Sequence, residues 1–99
     1  VLHATFPIDP EKRDKALALV EDLVEASQTE QGTLEYRATT DVSEPNVIRI
    51  FEQYEDQAAY EAHAESDHLG AFKEALPDLL GGQPEVIKFE VDSATTLDV

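Results

Sequence analysis

A four-stranded antiparallel sheet with helices on one face is the α+β fold the sequence predicts, and three observations predict it. Four short stretches, Val1 to Ile8, Thr33 to Thr40, Val47 to Tyr54 and Val86 to Val91, alternate apolar with polar residues or are dense in β-branched and aromatic ones. Two stretches with apolar residues at helical spacing separate the first strand from the second and the third from the fourth. The second and third strands are joined directly by a turn-rich loop, Asp41 to Asn46. The resulting order, βαββαβ, is the ferredoxin-like arrangement.

In the first strand Leu2, Ala4, Phe6 and Ile8 share one face. Asp9 followed by Pro10 starts the first helix, because aspartate caps free amides and proline suits the first helical position. Ala16, Val20, Leu23, Val24 and Ser27 mark its inner face, and it ends near Glu30, where Gly32 can take left-handed geometry. The second strand places Leu34, Tyr36 and Ala38 on one face, opposite Thr33, Glu35, Arg37 and Thr39. Asp56 caps the helix Gln57 to Glu65, and Ser66 or Asp67 caps a further helical piece carrying Leu69, Phe72, Ala75 and Leu76. Pro77, Gly81, Gly82 and Pro84 break the chain before the last strand, and 92–99 form a polar tail.

The chain is thus one domain of 99 residues with a core over 2–91. Its third strand is apolar on both sides, with Ile48, Ile50 and Tyr54 in one register and Val47 and Phe51 in the other. Helices can cover only one of these sets, so a homodimer burying the face of Val47, Arg49 and Phe51 is expected. Arg37 and Arg49, on that outer side, are expected in ion pairs across the dimer.

Charge narrows the partners. There are 22 Asp plus Glu against 7 Lys plus Arg, a formal net charge of −15, which would repel phosphate backbones and argues against nucleic acid. Acidic residues spread over the whole chain point to a halophilic, salt-rich cytoplasm of the haloarchaeal kind, since at about 1 M salt the screening length falls to about 3 Å. No cysteine is present, which excludes disulfides, thiolate metal sites and thiol nucleophiles. No long apolar run and no signal-like opening segment stand in the sequence, so neither a membrane partner nor export is expected.

Most side chains suited to chemistry cluster between Val47 and His68. Glu52 interrupts an apolar strand: it is either a general base with a raised pKa or a carboxylate held by backbone amides or a histidine. Tyr60 and His63 lie three apart on one helical stripe that must pack over the face carrying Ile50, Glu52 and Tyr54. His63 can share a proton with Glu52 or a bound phenol, or simply pin helix to sheet. His68 suits capping or packing as well as ligand contact. A metal set of His63, His68 and Glu52 would require the helix to break at Ser66, and no metal is expected. Tyr36 and Phe72 are core residues able to form cavity wall.

Glu52, Tyr54 and Asp56, then Ala59, then His63, Ser66 and His68, then Phe72, in that order and spacing, resemble the signature of the antibiotic biosynthesis monooxygenase family. The earlier Glu30, Gly32 and Tyr36 and the amino-terminal FPIDPEKRDKAL fit the same pattern, so the resemblance runs from Leu2 to Val91. It implies a dimeric α+β barrel, often a quinol monooxygenase, oxidising a phenolic aromatic with dioxygen and no cofactor. It also implies cavity positions for Tyr54 and Tyr60. This chain carries Ile50 where the anthrone-oxidising members have an asparagine, and it lacks the tryptophan of the haem-degrading branch.

The expected site therefore has His63, Glu52 and Tyr60 as catalytic groups, with Tyr54, Tyr36, Phe72, Ile50 and His68 contacting substrate. A small-ligand-binding or stress-response module with the same cavity is the alternative reading. A haem-binding variant is the third. A polar relay from cavity to solvent would favour the enzyme, and a sealed apolar pocket the binder.

Overall fold

A computed structural model describes all residues, Val1–Val99. Strand β1 (Leu2–Pro7) leads through a 3-10 turn, Pro10–Lys12, into helix α1 (Arg13–Gln28). Strands β2 (Thr33–Thr40) and β3 (Val47–Tyr54) follow, then helices α2 (Gln57–Ala64) and α3 (Asp67–Ala75), a second 3-10 turn (Leu76–Leu79) and strand β4 (Glu85–Lys88). The strands lie in the order β2-β3-β1-β4, every pair antiparallel, which is the ferredoxin-like topology.

The alternation in the sequence becomes a one-sided core. Leu2, Ala4 and Phe6 from β1 and Ile8 just after it, with Ile48, Ile50 and Glu52 from β3, are buried on the inner face. Ala16, Val20, Leu23 and Ser27 of α1 are buried as well, at the i, i+4, i+7, i+11 spacing of a single helical stripe. Phe72 of α3 meets Phe6 edge-to-face at 5.7 Å. Asp9 accepts the Glu11 amide at 3.0 Å and caps the first 3-10 turn, so regular α-helix starts at Arg13 rather than at Pro10.

Two expectations are corrected. Leu34 does not join Tyr36 on the inner face and is 58% exposed. The register advances two residues on β2, from Thr33 to Glu35, against one on β3, so Leu34 is the extra residue of a bulge. The fourth strand spans Glu85–Lys88 rather than reaching Val91, and its pairing with β1 ends at Leu2 opposite Lys88. Two more bonds follow, from the Phe89 amide to the Val1 carbonyl at 2.7 Å and from the Val1 amino group to the Phe89 carbonyl at 3.2 Å.

On the outer face Arg37, Phe51, His3 and Ile87 form one cross-strand row, with Phe51 41% exposed. Both arginines of that face have partners within the chain: Arg49 pairs with Asp41 at 3.0 Å and donates to Thr5 at 3.1 Å, and Arg37 pairs with Glu35 at 2.9 Å. No helix is long and apolar enough to cross a membrane.

Candidate active site

Local sequence rules build the site from three segments. Asp56 accepts the Ala59 amide at 2.8 Å and starts α2, so Tyr60 and His63 fall on the stripe facing the sheet. The helix then breaks at Ser66, whose backbone is extended (φ −69°, ψ 149°). The Ser66 hydroxyl donates to the His63 carbonyl at 2.7 Å and accepts the Leu69 amide at 3.3 Å, ending α2 and capping α3 at once. The break folds His68 back toward His63, bringing the ring centroids to 6.0 Å. The third segment follows α1. Gly32 turns the chain at φ 91°, and a Cβ there would stand 2.7 Å from that of Ala59, so only glycine lets the loop bearing Glu30 lie against α2.

Glu30 binds both histidines. His63 Nδ1 donates to its two carboxylate oxygens at 2.9 and 3.0 Å, and His68 Nε2 donates to Oε2 at 2.6 Å. A carboxylate can only accept, so in neutral His63 the proton sits on Nδ1 and Nε2 keeps its lone pair. That Nε2 faces Glu52 Oε1 across 3.7 Å. Glu52 accepts the Tyr54 hydroxyl at 2.6 Å. The series Tyr54, Glu52, His63, Glu30, His68 is continuous, and from His63 it runs outward, with side-chain exposures of 3% at His63, 16% at Glu30 and 29% at His68.

Burial dominates the electrostatics. It raises the Glu52 pKa above the ordinary carboxylate value, opposed by the Tyr54 hydrogen bond and the nearby His63. Burial also pushes the Tyr36 and Tyr54 phenols up, reinforced at Tyr54 by its bond to Glu52 and at Tyr36 by the Glu52 charge. Both phenols therefore stay protonated, and that of Tyr54 donates to Glu52.

A cavity of about 380 Å³ lies between helices and sheet, within the range of small-molecule sites. Tyr36, Ile50, Glu52, Tyr60, His63 and Phe72 all line it, together with a largely apolar wall that includes Leu2, Leu23 and Leu69. Tyr54 and His68 do not reach that wall. Tyr54 stands behind Glu52 and stacks edge-to-face on Tyr60 at 5.7 Å, lining a second concavity of about 640 Å³ along the sheet edge and Phe89–Ala94. His68 stands behind Glu30.

Glu30 is the residue that sequence reasoning about the site missed. Its signal was its place two residues before a glycine needing positive φ. The Ser66 break does bring the two histidines together, but the carboxylate shared between them is Glu30, not Glu52, and those three could hold a cation.

A cavity of this size under the helices of a ferredoxin-like sheet, with acid–base groups in its wall, defines a small α+β domain suited to handling a small organic molecule. Residues 1–75 match the family described as antibiotic biosynthesis monooxygenase, and the chain belongs to that family. It is 32% identical over 91 residues to the "Putative monooxygenase YcnE" of Bacillus subtilis (strain 168), covering 92% of this chain and 96% of that protein. Among solved structures, a Deinococcus radiodurans protein superimposes with a TM-score of 0.89 at 20% identity, over 98% of this chain and 96% of that one. Rv0793 from Mycobacterium tuberculosis gives 0.85 at 22% identity, over 95% and 96%. These two likenesses bear on the fold.

Proposed function

We propose that the protein is a cofactor-independent monooxygenase that oxidises a quinol-like or phenolic aromatic with dioxygen in the 380 Å³ cavity. The observation that carries this reading is the relay from cavity wall to surface. Glu30 holds the Nδ1 proton of His63, which leaves Nε2 free to take the phenolic proton, as an orienting carboxylate does for a catalytic histidine. Glu52, 3.7 Å from Nε2, stabilises the imidazolium that results. The apolar wall of Ile50, Phe72 and Leu69 excludes water from the phenolate.

An ionised phenol is electron-rich enough to pass one electron to dioxygen. The phenoxyl radical, whose spin is shared by the ring, and superoxide then combine at a ring carbon, and the adduct takes up the proton held on His63 to give a hydroperoxide. Loss of water across the C–H and O–O bonds leaves the quinone: one oxygen atom enters the product and the other leaves as water. Tyr60, in the cavity wall, is placed to donate to the oxygen substituents, and Tyr36 stays protonated behind them.

Oxygen uptake with a panel of hydroquinones and anthrone-like phenols, in buffer containing chelator, tests the reading. His63→Ala should cut turnover about a hundredfold or more. The mostly apolar wall equally suits a ligand-binding module of the same fold. Tight binding of one panel member with no oxygen consumption would select that alternative.

We infer further that the chain works as a homodimer through the outer sheet face. The row Phe51, His3 and Ile87 gives that face an apolar centre that nothing in the chain covers.

A further inference from the structure

We propose that Glu30, His63 and His68 form a binding site for one divalent transition-metal ion of the zinc type, a site that stands independently of the oxygenation reading. The ligand atoms, two imidazole nitrogens and a carboxylate oxygen, lie within 4.8 Å of one another. Tetrahedral donors at about 2.1 Å from one ion stand about 3.4 Å apart, so the contacts of Glu30 at 2.6 and 2.9 Å open slightly and the two imidazole nitrogens close up, which rotation of His68, the most exposed of the three, allows.

The proton and the metal compete for the same position. In the metal-free protein His63 donates from Nδ1 to Glu30. An ion taking that lone pair displaces the proton, and the ring then carries its hydrogen on Nε2, facing Glu52 at 3.7 Å. A carboxylate on the outer nitrogen of a ligating histidine fixes the tautomer and strengthens the ligand, and Glu52 is already stationed there.

The three ligands sit on three separate segments, the loop after α1, α2 and α3, and their exposure rises from the buried His63 to the half-open His68. This grading supplies an entry path and leaves the outer coordination position to water. Two imidazoles with a single carboxylate suit a zinc-type ion rather than calcium or magnesium, which require more oxygen donors.

The test is calorimetric titration of the whole protein with zinc ion in about 1 M potassium nitrate, where screening suppresses diffuse binding to surface carboxylates. One ion per chain is expected, bound at least about tenfold more weakly by His68→Ala, and about tenfold to a hundredfold more weakly by Glu52→Gln as an outer-shell change. Imidazole nitrogen resonances of the wild-type protein provide a readout that needs no variant: zinc should move those of His63 and His68 and leave His3 in place. Unmoved resonances at His63 and His68, unchanged affinity in a folded His68→Ala, or equal displacement by calcium would overturn the proposal and leave the cluster as a hydrogen-bonded clamp only.

Discussion

Glu30 and His63 stand 33 positions apart in the chain, yet Nδ1 of the histidine lies 2.9 and 3.0 Å from the two oxygens of the carboxylate. The pair fixes the proton on Nδ1 and leaves the lone pair on the nitrogen that faces Glu52. Glu30→Leu removes the acceptor altogether at similar size, so nothing holds the hydrogen on Nδ1. Oxygen uptake by this variant should fall by about a hundredfold or more, as for His63→Ala, while Glu30→Asp retains part of the activity. Wild-type turnover in a folded Glu30→Leu protein would end the role given to the pair.

Tyr54→Phe removes the only hydroxyl bonded to Glu52 and leaves a mostly buried carboxylate without that donor. A loss of about 1–3 kcal/mol is expected at neutral pH, read as a lowered thermal midpoint. The hydrogen bond holds the Glu52 pKa down in the folded protein, so its removal raises that value further. The deficit should therefore shrink on acidification, as Glu52 becomes protonated in wild type and variant alike. A deficit that grows toward low pH would contradict this account.

Asp41 accepts the Ser43 amide and the Arg49 guanidinium, and these hold its pKa below the ordinary 3.8. A depressed folded pKa contributes stability above the unfolded value, and that contribution is lost as pH falls through the folded one. Asp41→Asn should therefore unfold at a lower temperature than wild type near neutrality. The gap should close below pH 3.8, and thermal scans across that range would show whether it does.

Phe51→Asp places a charge at the centre of the outer cross-strand row. If that face joins two copies, light scattering should report half the wild-type mass, with the far-ultraviolet spectrum unchanged. A wild-type protein that is monomeric at every concentration would remove the dimer.

A charge of −15 on 99 residues destabilises the compact state when unscreened. The thermal midpoint should rise from low to molar potassium chloride. A flat response would remove the halophilic reading.

The sheet and its inner face were legible because period-two alternation in β1 and β3 records burial directly, residue by residue. Leu34 was not: one inserted residue reverses the alternation, and a bulge leaves no mark in hydrophobicity. The end of β4 was not legible either, since Ile87, Phe89 and Val91 keep alternating with Lys88 and Glu90 beyond the last residue in the regular pairing. In the site, Glu52, Tyr60 and His63 were readable from strand parity and helical stripe. Glu30 was not, because its proximity to His63 depends on how closely a loop approaches α2, a distance that no periodicity encodes.

That distance is governed by Gly32, where the missing Cβ would have met Ala59 at 2.7 Å. Any larger residue there wedges the loop and the helix apart, and it does so without touching a single ionisable group. The glycine therefore behaves as a spacer gauge, holding the interval over which Glu30 and His63 exchange a hydrogen. Gly32→Ala should therefore weaken the Glu30–His63 contact without touching either residue, and Ala59→Gly would relieve the steric part of that change but not the strain of an alanine at φ 91°.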